Sequence, residues 1–330
     1  MRIAQLGAGR IGAMHADILS SLVEPGALLV ADVDSARARD VAAAVGAEAS
    51  EIETAIATAD ALVIAASSTA HPELIRAGIE RGIPVFCEKP LATGLQETKR
   101  LVEDIDRSNV RFQLGFQRRF DAAYREARRL VEDGTLGRLY VVRLAGHDPA
   151  PPHEAYIPLS GGIFNDFSVH DFDVTRWLTG EEIEEVYADG AVLGFPVFAK
   201  YDDVDTAVAT LRLSGGTRAI LSATRHDPLG YDIRTELFGS GDSVSIGLGP
   251  RTPMRSLEPG IPPPAGPAWS MFIDRFRDAY ENELRAFLRV ARGEEESACT
   301  ARDGLEAVRV AVAATRSLRE HRPVRVAEVT

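Results

Sequence analysis

Cysteine is scarce in this chain, with only Cys87 and Cys299 in 330 residues. Two thiols so far apart form neither a disulfide framework nor a metal motif, and both read as buried apolar side chains. Long apolar runs are missing as well. The longest, such as Ala61–Ala66, fall far short of the roughly 20 residues that cross a bilayer, so no membrane partner is expected. No charged segment followed by an apolar one opens the sequence. A signal peptide is therefore not expected, and the cytoplasm is the expected compartment. Positive charge is in deficit: 37 Lys and Arg against 49 Asp and Glu leave a net charge of −12. Binding along a phosphate backbone needs clustered Lys and Arg, so nucleic acid is not an expected partner. There is no internal repeat, and the only biased stretch is the Pro- and Gly-rich segment Pro250–Pro267.

What is present has two grammars. At about 150 residues per domain the length suggests roughly two domains. The reading places the first over residues 1–118 and the second over 119–330. In the first, apolar runs read as buried strands: Ile3–Leu6, Leu28–Ala31, Ala61–Ala66, Pro84–Cys87 and Phe112–Gly115, with a short strand near Ala47–Ala49. Helical stretches Ile11–Leu22, Ser35–Val45, Glu51–Thr58, Pro72–Arg81 and Leu95–Ser108 separate them. This alternation predicts a parallel sheet covered on both faces by helices. The second part predicts a helix over Asp121–Glu132, a strand over Leu139–Ala145, a loop over Asp148–Pro158 and a helix over Gly162–Leu178. Strands Glu184–Leu193, Thr206–Leu213, Thr217–Arg225, Tyr231–Phe238 and Ser243–Leu248 follow without intervening helices, and helices Met271–Arg292 and Ala301–Glu320 close the chain. Consecutive strands joined by Ser214-Gly215-Gly216 and Gly239-Ser240-Gly241 predict a large, mostly antiparallel sheet. The expected class is α/β: an N-terminal Rossmann domain with a parallel sheet, plus a C-terminal α/β domain with an open sheet.

Gly7-Ala8-Gly9-Arg10-Ile11-Gly12 fits the G-x-G-x-x-G pattern between a predicted strand and a predicted helix, and Asp32 lies 20 positions after Gly12 at the end of the second strand. That is the context a dinucleotide site requires. Gly7 permits the tight turn, Gly9 lets the backbone approach the pyrophosphate, and Gly12 lets helix and strand pack closely. The N–H groups and dipole of the helix stabilise the phosphates. Asp32 accepts hydrogen bonds from ribose hydroxyls and repels a 2′-phosphate, so NAD is expected rather than NADP. Arg37 and Arg39 follow closely; they read either as softening that preference or as a solvated helix face.

Three further features carry chemistry. Glu88-Lys89-Pro90 follows the strand Pro84–Cys87 at its carboxyl end, where open α/β sheets bind ligands. Asp166 and His170 stand four residues apart on a predicted helix, a spacing that puts both on one face. A His there can take a hydroxyl proton while a nearby carboxylate orients it. The third is Gly115-Phe116-Gln117-Arg118-Arg119-Phe120-Asp121, whose charges read equally as a structural cluster. His170, Asp171 and Asp173 do not converge as metal ligands, because neighbours on a helix diverge by about 100°, so no catalytic metal is expected. His147 and His153 flank the Pro-rich loop and read as solvated loop residues or pocket walls.

Together these motifs resemble the glucose–fructose oxidoreductase/inositol dehydrogenase (Gfo/Idh/MocA) family. The resemblance runs over nearly the whole length, through Gly7–Gly12, Glu88-Lys89-Pro90, Gly115–Asp121, Ser160–Asp173 and Tyr231–Gly239. The loop Asp148-Pro149-Ala150-Pro151-Pro152 followed by Ser160-Gly161-Gly162 is most similar to the inositol 2-dehydrogenase branch. His147, and Asn165-Asp166-Phe167-Ser168-Val169, depart from that branch's pattern. The resemblance implies Lys89, Asp166 and His170 as catalytic trio: His170 as general base, Asp166 as its partner, Lys89 as electrostatic aid. The expected cofactor-binding residues are Gly7, Gly9, Arg10, Ile11, Gly12, Asp32, Ser67, Ser68, Thr69, His71, Glu88, Lys89 and Gln117. Those expected at the substrate are Lys89, Asp148, Asp166, His170 and Tyr231. The implied activity is NAD-dependent oxidation of a ring hydroxyl of a cyclic polyol or sugar, by a homodimer or homotetramer built through the open sheet. Redox-assisted glycoside cleavage with a tightly held cofactor, or a non-catalytic dinucleotide sensor, are the alternative readings.

Overall fold

The computed structural model describes all 330 residues. They form two compact units: Met1–Phe120 together with Asp278–Leu305, and Asp121–Arg277 together with Glu306–Thr330.

In the first unit strands and helices alternate: β1 (Ile3–Leu6), α1 (Arg10–Leu22), β2 (Leu28–Ala31), α2 (Ser35–Val45), β3 (Glu48–Ala49), α3 (Ile52–Thr58), β4 (Ala61–Ile64), α4 (His71–Arg81), β5 (Val85–Glu88), α5 (Leu95–Ser108) and β6 (Phe112–Gly115). All six strands are parallel, in the order β3-β2-β1-β4-β5-β6. Strands β1, β2, β4, β5 and β6 are buried at every residue. That is why their sequences read as unbroken apolar runs rather than alternating ones. The chain winds outward from β1 in both directions, which opens a crevice beyond the carboxyl ends of β1 and β4, the usual ligand position in such sheets. Turn chemistry sets the boundaries. Asp34 caps α2 by accepting from the backbone N–H groups of Ala36 and Arg37, and Gly46 and Gly82 end α2 and α4 in the left-handed conformation.

The second unit contains α6 (Ala122–Glu132), β7 (Leu139–His147), α7 (Ile157–Ser160), α8 (Ile163–Asp166), α9 (Val169–Thr179), β8 (Ile183–Ala191), β9 (Thr206–Leu213), β10 (Arg218–Thr224), β11 (Asp232–Gly239) and β12 (Ser243–Ile246). Two long helices, α10 (Phe272–Arg292) and α11 (Ala301–Glu320), contribute residues to both units, and β13 (Val324–Arg325) ends the sheet. The seven strands run in the order β12-β11-β7-β10-β9-β8-β13. The β7–β10 pair is parallel and the others are antiparallel. One face is buried through residues such as Ala207, Ala209, Leu211, Ala219, Leu221 and Ala223, while their neighbours in sequence point to solvent.

One expectation fails here. The predicted helix Gly162–Leu178 is interrupted. The Ile163 carbonyl accepts from both Phe167 and Ser168, and the Ser168 carbonyl starts a new helix by accepting from Asp171 and Phe172. Asp166 therefore ends α8 and His170 sits in the first turn of α9. Their separation of four residues is not an i,i+4 pair on one continuous helix. The short strand β13 and the 3-10 turns at Glu154–Tyr156 and Pro196–Tyr201 were not expected from the pattern.

Candidate active site

In the first unit the glycines do what the pattern requires. Gly7 has φ +99, and a side chain there would collide with the backbone of Ala65 at 2.5 Å. A Cβ on Gly12 would lie 2.0 Å from the Gly7 carbonyl, so only glycine lets α1 sit against the end of β1. Gly9 differs: nothing lies within 4 Å of where its Cβ would be. That open space above the first turn leaves room for a pyrophosphate against the backbone. No side chain caps α1, so its first N–H groups remain for an anion. Asp32 ends the second strand segment with its carboxylate fixed, Oδ2 accepting from the Ala8 N–H at 2.6 Å and Oδ1 from the Asp34 N–H at 2.8 Å. Arg37 lies 3.8 Å from Asp32 and 3.2 Å from Asp34, and is half exposed. The cradle fits an NAD dinucleotide.

The other expected residues of this unit fall into two groups. Lys89 is half-buried at the end of β5, and Arg10 is exposed on α1. Ser67, Ser68 and Thr69 form the loop after β4, where the Ser67 and Thr69 hydroxyls are 3.1 Å apart. Glu88, Gln117 and His71 are buried. The Glu88 carboxylate is held inward by His15 Nε2 at 2.7 Å, in a space that Gly115 leaves open for it. The His71 ring faces the Pro90 carbonyl at 2.7 Å through Nδ1 and the Ala66 carbonyl at 3.2 Å through Nε2. Burial pushes its pKa down. His71 thus ties the loop after β4 to the cis Lys89–Pro90 segment after β5.

The second unit brings Asp148 and Asp166 together and adds two residues the sequence did not announce. Asp166 Oδ1 accepts from the Tyr156 hydroxyl at 2.8 Å, and Oδ2 lies 3.0 Å from Arg225 Nη1. The same Arg225 nitrogen donates to Asp148 Oδ2 at 3.4 Å. Asp203 lies beside α8, its Oδ1 accepting from the backbone N–H groups of Ile163 and Val204, and burial pushes its pKa up. His147 ends β7 with Nδ1 2.8 Å from the Thr224 hydroxyl, which itself donates to the His226 carbonyl. Thr224 therefore accepts from His147 Nδ1–H, and burial lowers the His147 pKa. His153 is exposed and merely accepts from the Ala155 N–H. His170 is half-buried at the start of α9. Tyr231 is buried with its ring edge-on to Phe276, one residue before β11 begins. Arg225 and Tyr156 gave no signal in the sequence, because each is a lone polar residue at the edge of a strand or loop.

A glycine cradle with a fixed carboxylate beyond the second strand, on a parallel sheet wound in this order, is the arrangement of an NAD-binding domain. Residues 1–116 match the family described as "Oxidoreductase family, NAD-binding Rossmann fold", and residues 124–245 match its "GFO/IDH/MocA C-terminal domain". The chain belongs to the Gfo/Idh/MocA family. It is 42% identical over 322 residues to the myo-inositol dehydrogenase Hyg17 of Streptomyces leeuwenhoekii, covering 96% of this chain and 97% of that one. Its fold superposes on the crystal structure of a probable dehydrogenase from Thermotoga maritima with TM-score 0.92 and 36% identity, over 100% of both chains. The scyllo-inositol dehydrogenase from Lactobacillus casei, solved with NAD(H) and scyllo-inositol, superposes with TM-score 0.88 and 29% identity over 99% of both.

Proposed function

We propose that this protein oxidises a ring secondary hydroxyl of an inositol, or of a closely related cyclic polyol, to the ketone. The observation that carries the proposal is the unbroken, full-length likeness to enzymes named for myo- and scyllo-inositol, in a chain that keeps Lys89, Asp166 and His170. NAD, which the Gly7–Gly12 cradle and Asp32 would hold, would supply the hydride acceptor. The chain's own residues handle the proton. As the C–H bond breaks and its electron pair leaves, the hydroxyl proton passes to the neutral imidazole of His170, and the C–O bond becomes C=O. Asp166 orients that imidazole and stabilises its charged form. Lys89 donates to the hydroxyl oxygen and stabilises its alkoxide character. His71 acts one step back, fixing the segment that carries Lys89. Glu88, paired with His15, and Gln117 are buried.

We also place the protein in the cytoplasm as a homodimer or homotetramer; no helix is long and apolar enough to cross a membrane. The test is a panel of inositols and aldoses with NAD or NADP, read by absorbance of the reduced nicotinamide. Steady turnover of an inositol with NAD is expected. His170→Ala should lose about 10²–10⁴ in kcat, the usual worth of a positioned base, while still binding NAD. The rate should rise with pH as the imidazole becomes neutral. Near-normal kcat with an unchanged pH profile in that variant would remove His170 from the mechanism.

A further inference from the structure

We propose that Arg225 is the positioning residue of the substrate half of the site: its buried guanidinium clamps Asp148 and Asp166 side by side as a pair of ionised acceptors. This rests on the inositol-dehydrogenase reading above and adds to it a residue that no motif announced.

The clamp is assembled from three separate places in the sequence. Arg225 follows the last residue of β10, Asp148 follows the last residue of β7, and Asp166 ends α8. Because β7 and β10 are parallel neighbours, with Thr224 opposite His147, residues just beyond their ends emerge together. The Arg225 backbone N–H donates to the Asp205 carbonyl at 2.8 Å, and its guanidinium lies 5.6 Å from the centre of the Phe167 ring. One nitrogen, Nη1, then serves both carboxylates, at 3.0 Å to Asp166 and 3.4 Å to Asp148.

Exposure decides which groups meet a ligand. The Arg225 side chain is 3% exposed, against 13% for Asp166 and 21% for Asp148. The cation sits behind and the carboxylates in front. Two acceptors held together in this way suit the hydroxyls of a neutral polyol.

The clamp has an energetic reason. Two carboxylates sharing one partly buried spot repel, and desolvation adds to the cost, so without a cation one of them takes up a proton. Nearby Asp203 shows the local tendency, since burial raises its pKa even though two backbone N–H groups favour its charged form. The Arg225 charge is likewise held against desolvation by Asp166 and Asp148. The charged and titratable groups around the clamp include Asp148 beyond β7, Tyr156 before α7, Asp166 on α8 and Asp203 before β9. Such a site is a poor device for stability alone. The Nε and Nη2 atoms of Arg225 are buried without hydrogen-bond partners, and a buried ion pair is commonly replaceable by apolar side chains without loss.

The test compares Arg225→Met, Arg225→Lys and Asp148→Asn with the unmodified protein, using an inositol and NAD. Arg225→Met should lose about a hundredfold in kcat/KM, the usual effect of misplacing reacting groups, and leave the Kd for NAD unchanged. The acid limb of its pH profile should move up by about one unit or more, because a nearby cation is gone. Arg225→Lys should restore the limb but not the full kcat. Asp148→Asn should move the limb down, since it removes a negative charge. Opposite movements in the two variants are not produced by general loosening. An unmoved limb in both overturns the proposal, and Asp148→Asn alone decides it if Arg225→Met does not fold. If the unmodified protein oxidises no polyol, the functional reading fails separately. The clamp is then read from thermal unfolding: the advantage over Arg225→Met should shrink as pH falls and the carboxylates protonate, and a pH-independent difference overturns it.

Discussion

At the scale of single residues, two carboxylates in the first unit behave in opposite ways, and each makes a prediction. Asp32 accepts two backbone N–H groups, from Ala8 and Asp34, which fix its carboxylate just beyond the strand end. A 2′-phosphate brought to that point meets a fixed negative charge, with Arg37 already engaged by Asp32 and Asp34. The unmodified protein should therefore prefer NAD by kcat/KM, and Asp32→Ser should narrow the preference; equal use of both cofactors by the unmodified protein would refute this. Glu283, on α10, is the converse case. It is completely buried, neither carboxyl oxygen has a hydrogen-bond partner, and burial, with the nearby charge of Glu88, pushes its pKa well up. A carboxyl whose folded pKa exceeds its unfolded one gives its full stability below the unfolded value and loses it as pH rises toward the folded value. A penalty of about 1 kcal/mol is worth roughly 2–4 °C in Tm for a domain of 150–250 residues. Glu283→Gln should thus raise Tm at pH 7–8, with the gain fading toward pH 4. A Tm difference that does not change with pH would show that Glu283 is not held protonated.

At the scale of elements, legibility in the sequence follows how local the physics is. The strands of the first unit are buried on both sides, so each is a continuous apolar run with turn residues at its ends, and their positions could be read within a residue or two. The glycine cradle was legible because its glycines stand at fixed spacing in one turn; Gly12 is required by the nearby Gly7 carbonyl, although the backbone that excludes a side chain at Gly7 is that of Ala65, far along the chain. The helix carrying Asp166 and His170 was not. Its composition is helical throughout, and the interruption arises from a shared acceptor at Ile163 rather than from any Pro or Gly between the two residues. The Arg225 clamp was invisible for a different reason: it depends on β7 and β10 being parallel neighbours, a pairing that no stretch of either strand encodes. The return of residues 278–305 to the first unit likewise leaves no local trace, because it is decided by the buried partners of α10 and not by its own periodicity.

At the scale of the whole molecule, the second unit's sheet leaves apolar side chains exposed on one face. Its buried face is covered by helices, but the other face is open. Directly paired residues share a face, so the register places Tyr187, Thr210, Ile220, Arg143 and Glu236 in one row across five strands. The next row runs Asp189, Val208, Ser222, Ala145 and Arg234. Tyr187, Val208 and Ile220 are each exposed by 43% or more. Apolar side chains gathered on a sheet face, rimmed by charges such as the Arg143–Glu236 pair at 2.9 Å, are the kind of surface through which proteins commonly associate. A second copy of the same face is the natural cover, because a two-fold axis makes one surface complementary to itself. The double variant Val208→Asp, Ile220→Asp puts four like charges into such an interface and none into the core. Light scattering at micromolar concentration should find the unmodified protein as a dimer or larger assembly and the variant with a smaller mass. A monodisperse monomer for the unmodified protein would refute the assembly itself. An unchanged mass in the variant would place the interface elsewhere on the molecule.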